Sequence, residues 1–274
     1  MATLRDHRTA LAATAALLPV LIALAAPLLA PADPAAGHLA DRLLDPGTPG
    51  HPLGTDGQGR DLLSRLLWAA RPSLTAGLLP VAVAALAGAL LGSTAALAGR
   101  ATEQALLRTL DVLYAFPGVL LAIAVATLLT PGLGATVLAL SVVLTPAVAR
   151  VAFTETRRIR TAEYLEAATV SGATRTSLVL RQVLPVVAPV VLVYATSLVG
   201  LAVVYAAGLS FLGLGVPPPT PEWGAMLDEL RPALFTHPWL AATPALVVLA
   251  VSVAFNTLGE TLRGRLGAGP EATR

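Results

Sequence analysis

The residues best able to do chemistry lie in a polar segment, 154–184, between two long apolar runs. It is predicted to be helical, with two acids one turn apart beside a face of small side chains. The acids are Glu163 and Glu166, and the small residues are Ala167 and Ala168. Gly172 is expected to stop the helix, and the basic Arg175 follows it. Small side chains let a partner's groove close around a helix, and a carboxylate fixes the register. The segment therefore predicts a docking helix, with an amphipathic surface helix or a DNA-binding helix-turn-helix as alternatives.

Composition excludes several other kinds of chemistry. The chain has no Cys, which removes disulfides, thiolate metal sites and cysteine nucleophiles. Its eighteen basic residues are all Arg, so it can supply neither the lysine of a Walker A phosphate loop nor a Schiff base. The four His are scattered, without the short spacing of paired ligands. We therefore predict no ATPase activity for the isolated chain, no metal site and no cofactor.

A second group of charged residues precedes the second long apolar run. Its members, grouped with a Trp that follows the proline-rich loop 217–221, are Asp56, Gly59, Arg60, Asp61, Arg65, Arg71 and Trp223. Asp61 and Arg65 are one helical turn apart, and Trp68 supplies an aromatic anchor. The spacing predicts an amphipathic helix lying on the outer membrane surface. Its role would be anchoring or contact with another protein.

The elements that carry these groups are read from hydropathy. The chain is 55% hydrophobic and only 12% charged, against about 25% charged in soluble domains. An Ala-rich chain with 4% aromatics favours membrane helices over a β-barrel. One uncharged run, 112–149, is too long for a single crossing and is divided at the turn 130–134. Six spans are predicted, at 10–30, 75–99, 112–130, 134–153, 185–212 and 240–260.

Orientation follows from the arginines. With the N-terminus inside, thirteen Arg fall on inner segments and five on outer ones, which predicts that both termini are cytoplasmic. The few charges near the spans lie only at their edges. A cleaved signal peptide is the alternative for the first span. The Pro in Ala30-Pro31-Ala32 and an apolar stretch of about 21 residues disfavour it.

Three motifs carry a resemblance to a known family. The run from Glu166 to Gly172 reads E-A-A-x-x-x-G and is followed by Leu184-Pro185, which resembles the EAA loop of ABC-importer permeases. Gln182 stands where Ile is frequent in the general pattern, but a polar residue there is common in the peptide branch. The stretches 51–65 and 209–227, with the ending at 255–263, are similar to the second permease subunit of dipeptide, oligopeptide and nickel importers.

The resemblance implies an all-α fold of six transmembrane helices, in the ABC type I importer permease class. It implies half of a peptide pore in a bacterial cytoplasmic membrane, with a nickel or metal-chelate importer as the alternative. A homologous second permease, two cytoplasmic ATPases and an extracytoplasmic substrate-binding protein would be its partners, and no nucleic acid. The ATPase-coupling site would consist of the docking-helix residues together with Leu184 and Pro185. The external interface would consist of the outer charged group with Trp223.

Two other classes remain as rivals. An ion-coupled secondary carrier usually has ionisable groups inside the bilayer, and the predicted spans hold almost none. A membrane scaffold would have no need of the organised 166–185 loop. The predicted division of the chain is 1–33 for the tail and first helix, 34–73 for an external segment with an interfacial helix, 74–266 for the permease core with its coupling loop 154–185, and 267–274 for a cytoplasmic tail.

Overall fold

A computed structural model describes residues 2–266, with side chains for 9–265, and the predicted tail 267–274 lies outside these residues. The described chain is helical apart from loops and three isolated β-bridges. Its α-helices are α1 Ala2–Leu29, α2 Leu62–Leu97, α3 Arg100–Ala115, α4 Gly118–Thr127, α5 Leu133–Ile159, α6 Glu163–Val170, α7 Arg175–Ser177, α8 Leu184–Phe211, α9 Trp223–Leu230 and α10 Pro238–Leu266. A π-helical segment, Leu178–Val183, joins α7 to α8.

Five continuous helical stretches within the described residues are long and apolar enough to cross a membrane. They are Thr9–Leu29, Leu62–Leu97, Leu133–Ile159, Arg175–Phe211 and Pro238–Arg265. Each contains most or all of one predicted span. The all-α membrane fold is therefore confirmed, and the third span is where the prediction and the structure differ.

The predicted span 112–130 is wrong as a single helix. α3 and α4 meet at an angle of 94°, and α4 has only ten residues. Ten residues rise about 15 Å, half of a hydrocarbon core of about 30 Å. The cause is Pro117, which has no N–H to donate and holds Phe116 in an extended conformation.

The chain nevertheless crosses the bundle between α2 and α5. α2 begins beside α9, where the Trp223 indole Nε1 donates to the Leu66 carbonyl at 3.1 Å. It ends beside α6, where Leu97 and Leu165 line the same groove. α5 begins back at the first end, because the Gly132 N–H donates to the Leu214 carbonyl after α8 at 3.4 Å. Residues 98–132 must therefore return across the bundle, and α3 with α4 forms a sixth, broken crossing.

The two ends of the bundle are called here the α9 end and the α6 end. α1 finishes at the α9 end, because the Ala32 N–H donates to Ser64 Oγ near the start of α2 at 3.0 Å. α10 runs antiparallel to α8, with Ser252 Oγ donating to the Gly200 carbonyl at 3.1 Å and Gly259 beside Ser197. The start of α1 and the end of α10 therefore share the α6 end.

Close packing at the centre depends on small residues. α2 lies against α5 and α8, and α8 also lies against α10. A Cβ placed on Gly88 would lie 2.7 Å from Val148 Cβ, and one on Gly92 would clash with the Ala149 carbonyl. The sequence Gly88-x-x-x-Gly92 thus lets α2 and α5 approach closely, as its spacing predicts.

Two helix boundaries also differ from the prediction. α2 begins at Leu62, so the separate interfacial helix predicted before residue 75 is instead the first turns of a 36-residue helix. The fifth span begins at Arg175, because the chain does not break at Leu184-Pro185. The Leu184 N–H donates to the Val179 carbonyl five residues back. This π-type spacing lets the helix continue past a proline that cannot donate.

Candidate functional site

α6 is an exposed helix held to the bundle by one side chain. Leu165 is buried, and it lines a groove of about 350 Å³ with Leu97 and Leu178. Glu166 and Val170 lie at the rim of the same groove, and Val170 is 89% exposed. Tyr164 is 42% exposed as well, so the surface of α6 carries two exposed apolar side chains.

The predicted coupling residues of α6 lie on its exposed surface or at the rim of this groove. Glu163, Glu166 and Ala167 are exposed, and Ala168 is half-buried. Within residues 9–265, neither glutamate has an ion-pair or hydrogen-bond partner for its side chain. Their charges are available to an external partner. Tyr164 and Val170 add exposed apolar side chains to this surface, and neither was among the predicted coupling residues.

The end of α6 is set by a left-handed glycine. Gly172 has φ +84°, a conformation that side chains other than glycine rarely adopt. The Ala173 N–H donates to the Ala168 carbonyl at 3.0 Å and closes the helix. The next helix begins at Thr174, whose Oγ1 accepts from the Ser177 N–H at 3.3 Å. Gly172 thus ends α6 as predicted, and Thr174 caps the helix that follows.

The remaining coupling candidates lie in the next helical stretch, Arg175–Phe211. Arg175 is exposed at its start, Leu184 is half-buried and Pro185 is exposed. Among the described residues, no ion pair joins Arg175 to either α6 carboxylate. Of the predicted coupling residues, Glu166 lines the groove beside α6, together with Arg160 and Thr169, which the motif did not single out.

At the α9 end, three buried charged side chains and the half-buried Glu229 form a cluster. Arg60 Nε lies 2.7 Å from Asp56 Oδ2, and Arg60 Nη2 lies 2.6 Å from Glu229 Oε2. Arg65 Nη2 lies 2.7 Å from the same Glu229 oxygen, and Arg65 Nη1 pairs with Asp56. Asp56 is 2% exposed and Arg65 is 1% exposed. We call Asp56, Arg60, Arg65 and Glu229 the ion cluster.

The ion cluster balances two positive against two negative charges. Arg65 Nε is buried and has no hydrogen-bond partner among the described residues. Burial raises the pKa of the Glu229 carboxyl, and the nearby Arg60 guanidinium opposes that rise. Sequence reasoning missed Glu229, because it lies 169 residues from Arg60 and no local pattern connects them.

The other external candidates position the loop before α2. Asp61 caps α2 by accepting from the Ser64 N–H at 2.7 Å, and it contacts His51 Nδ1 at 3.0 Å. Gly59 has φ +73°, and a Cβ on it would clash with the His38 carbonyl. These contacts fold the segment back on itself, so the side chains point into the protein.

Trp223 anchors the start of α9 from within the bundle. It is 2% exposed. Its backbone N–H donates to Ser73 Oγ at 3.0 Å, and Ser73 Oγ donates to Glu222 at 2.7 Å. The other Glu222 oxygen caps α9 by accepting from the Ala225 N–H at 3.0 Å.

Arg71 joins α1 to α2. Its Nε donates to the Ala23 carbonyl at 2.8 Å, and its guanidinium lies 5.0 Å from the centre of the Trp68 ring. Ala23 needs this donor because Pro27, four residues on, has no N–H. Arg71 therefore replaces a missing helical hydrogen bond.

Comparison with known proteins decides the family. Residues 64–267 match the family described as the inner membrane component of binding-protein-dependent transport systems. The chain belongs to this family of transport permeases. Glutathione transport system permease proteins GsiD from Pectobacterium atrosepticum and from Escherichia coli O6:K15:H31 are each 38% identical to it. The matches cover 96% of this chain and 87% and 86% of theirs.

A solved structure supports the same fold. A chain of the inward-facing MetNI methionine ABC transporter has a TM-score of 0.56 and 18% identity, over 74% of this chain and 95% of that one. The protein is a permease subunit of an ABC importer and a multi-pass inner-membrane protein. In such permease systems, ATP is hydrolysed by partner ATPase subunits, and the permease itself is not an enzyme.

Proposed function

We propose that this permease forms half of a pathway for short peptides across a bacterial cytoplasmic membrane. The observation that carries the proposal is its likeness, over nearly the whole chain, to permeases named for glutathione, which is a tripeptide. A homologous permease would complete the pathway. Two cytoplasmic ATPases would supply energy, and an extracytoplasmic binding protein would deliver the peptide.

The α6 end is proposed as the ATPase-coupling surface. A docking helix must offer unpaired charge and low side-chain bulk. Glu163 and Glu166 offer the charge, and Ala167 offers a surface on which a cleft can close. The apolar Val170 then supplies desolvated contact area at the edge of that surface.

The α9 end is proposed as the surface that receives the binding protein. The ion cluster and Asp61 hold the loop 34–61 against α9, and they act by positioning it. Exposed backbone and side chains of that loop, such as Gly57 and Gln58, would then make the contact. The buried residues that were predicted to form the external interface would thus position the loop that forms it.

This arrangement requires the α6 end, and with it both termini, to be cytoplasmic. The excess of Arg on inner segments supports that orientation. Reporter fusions at 35, 132 and 217–221 should read external, and a fusion at 172 should read cytoplasmic. An external reading at 172 would reverse the proposed orientation.

Cargo can be tested on the assembled importer. We would express the permease with its second permease, ATPases and binding protein in cells lacking their own peptide importers. Uptake of labelled glutathione, of a dipeptide and of a nickel chelate would be compared. We expect ATP-dependent peptide uptake that requires the binding protein. Uptake of the nickel chelate alone, or no peptide uptake by the wild type, would overturn the proposal.

A further inference from the structure

Three of the four tyrosines in the chain line one cavity. The cavity has a volume of about 260 Å³ and lies between the α3–α4 bend, α5 and α8. Tyr114 comes from the end of α3, and Tyr194 and Tyr205 come from α8. In a chain with 4% aromatic residues, three tyrosines on one cavity are a marked local concentration.

The register of α8 puts two of these rings on one face. Tyr194 and Tyr205 are eleven residues apart, which is three helical turns and a rise of about 16 Å. Leu198 and Leu201 lie between them on the same face. Beside the Tyr205 ring, a Cβ on Gly118 would lie 3.2 Å from Tyr205 Oη. The glycine thus leaves room beside that hydroxyl.

The tyrosine hydroxyls differ from other hydroxyls in the spans. Thr196 donates to the Leu192 carbonyl at 2.9 Å, and Thr145 donates to the Ser141 carbonyl at 2.6 Å. Among the residues that the structure describes, the three tyrosine hydroxyls make no hydrogen bond. A polar group left unpaired against lipid is costly. This face therefore needs water or a polar partner.

The backbone beside the cavity gives an independent indication. The helix is broken at Phe116–Pro117, and Phe116 lines the cavity. Irregular backbone at membrane depth is tolerated where it is buried in protein or lines a water-filled space. Tyr114 is 61% exposed in this chain, so the protein itself does not close the space.

We propose that this tyrosine-lined cavity is part of the translocation pathway, and that its hydroxyls bind the main chain of the passing peptide. The proposal rests on the proposed function. A tyrosine hydroxyl both donates and accepts, so it can pair with a peptide carbonyl or an N–H. The cavity has no charged lining residue. It thus recognises amide groups common to all peptides and leaves side-chain choice to other components.

Cysteine labelling tests which surface the cavity faces. The chain has no native Cys, so single variants need no altered background. Tyr114→Cys and Tyr205→Cys would be treated in the assembled importer with a water-soluble methanethiosulfonate reagent. Leu192→Cys is the control, because Leu192 is an exposed α8 residue outside the cavity. We expect the cavity positions to react about ten-fold faster and to be slowed by excess cargo dipeptide.

Two labelling results would overturn the proposal. Reaction as slow as at Leu192→Cys would place the cavity against lipid. Protection in the assembled importer that does not depend on the dipeptide would place the second permease over it.

Hydroxyl removal tests whether the tyrosines bind the cargo. Tyr114→Phe, Tyr194→Phe and Tyr205→Phe would be made singly and together, with Thr196→Val as the matched control on α8. We expect peptide uptake to fall about five-fold for each hydroxyl that contacts cargo. Membrane abundance and ATPase co-purification should stay at wild-type levels, and the control should import normally.

The outcomes separate this proposal from the one it depends on. Wild-type peptide uptake by the triple Phe variant defeats the cavity assignment and leaves peptide import standing. A wild type that imports no peptide defeats the proposed function itself.

Discussion

At the α9 end of the bundle, the buried Arg65 pairs with the buried Asp56 and the half-buried Glu229, whereas at the α6 end Glu163 and Glu166 are exposed without partners. Both ends are attached to α2, whose 36 residues separate them by about 50 Å. The contrast teaches that charge at a membrane boundary has two uses. Paired and buried, it fixes loops to a helix end; unpaired and exposed, it remains available to a partner.

The largest effect is expected from breaking the ion cluster. Asp56→Asn leaves two buried guanidinium groups with one carboxylate, and removing one partner of a buried pair costs about 3–5 kcal/mol. We expect membrane abundance and thermal stability in detergent to fall sharply. Glu166→Gln makes the same kind of change on exposed α6, and its abundance should stay normal. Equal abundance of the two variants would contradict the contrast between the ends.

The reverse pattern is expected at α6. Gly172→Leu strains a backbone at φ +84° by about 1–2 kcal/mol, although its Cβ would meet no atom within 4 Å. Glu166→Lys reverses an unpaired charge. Both variants should insert normally, yet bind the ATPases poorly and lose cargo uptake. Gly99→Leu is the matched control, because Gly99 is also open but has φ −70°.

Membrane abundance, ATPase co-purification and uptake would be measured on the same cells for these variants. Full uptake by both would defeat the coupling assignment. Loss of membrane abundance would instead make α6 a structural element.

Features with local causes could be predicted from the sequence. Gly172 and Thr174 mark a stop and a cap because the chemistry of each lies within four residues of itself. The first span was equally readable from hydropathy. The broken third crossing was not, because the uncharged run 112–149 hides Pro117, and the split was placed at the later turn.

Features with distant causes could not be predicted. Arg60 and Arg65 are charged and adjacent to an apolar run, so a surface helix was the natural expectation. Their burial depends on Glu229, which reaches them only after α9 folds back over α2. The tyrosine cavity has the same character, since Tyr114 and Tyr205 line one cavity only because α3 ends in a sharp bend.

A smaller effect is expected at the contact between α1 and α2. Arg71→Leu leaves the Ala23 carbonyl without the donor that substitutes for Pro27, at a cost of about 1–3 kcal/mol. The melting temperature in detergent should fall. Adding Pro27→Ala restores a backbone N–H for Ala23, so the double variant should recover part of the loss. No recovery would mean that Arg71 acts through its charge or its contact with Trp68.

The smallest effect concerns pH at the ion cluster. Burial raises the pKa of Glu229 in the folded protein above its ordinary value of 4.5. The folded protein therefore keeps a proton over a range in which the unfolded chain has released it. The stability that this carboxyl contributes is full below about pH 4.5 and is lost as the pH rises through the folded pKa.

Glu229→Gln removes this titration but keeps the shape of the side chain. Its melting temperature should change less than that of the wild type between pH 4.5 and neutral pH, because one source of proton release is gone. Glu163→Gln removes a carboxyl at the exposed α6 end, and it should keep the wild-type pH dependence of the melting temperature. If Glu229→Gln steepened the loss of stability with rising pH, the Arg60 and Arg65 charges would outweigh burial. The cluster would then stabilise the folded protein mainly through its ion pairs, and the contrast with the unpaired α6 carboxylates would be one of pairing.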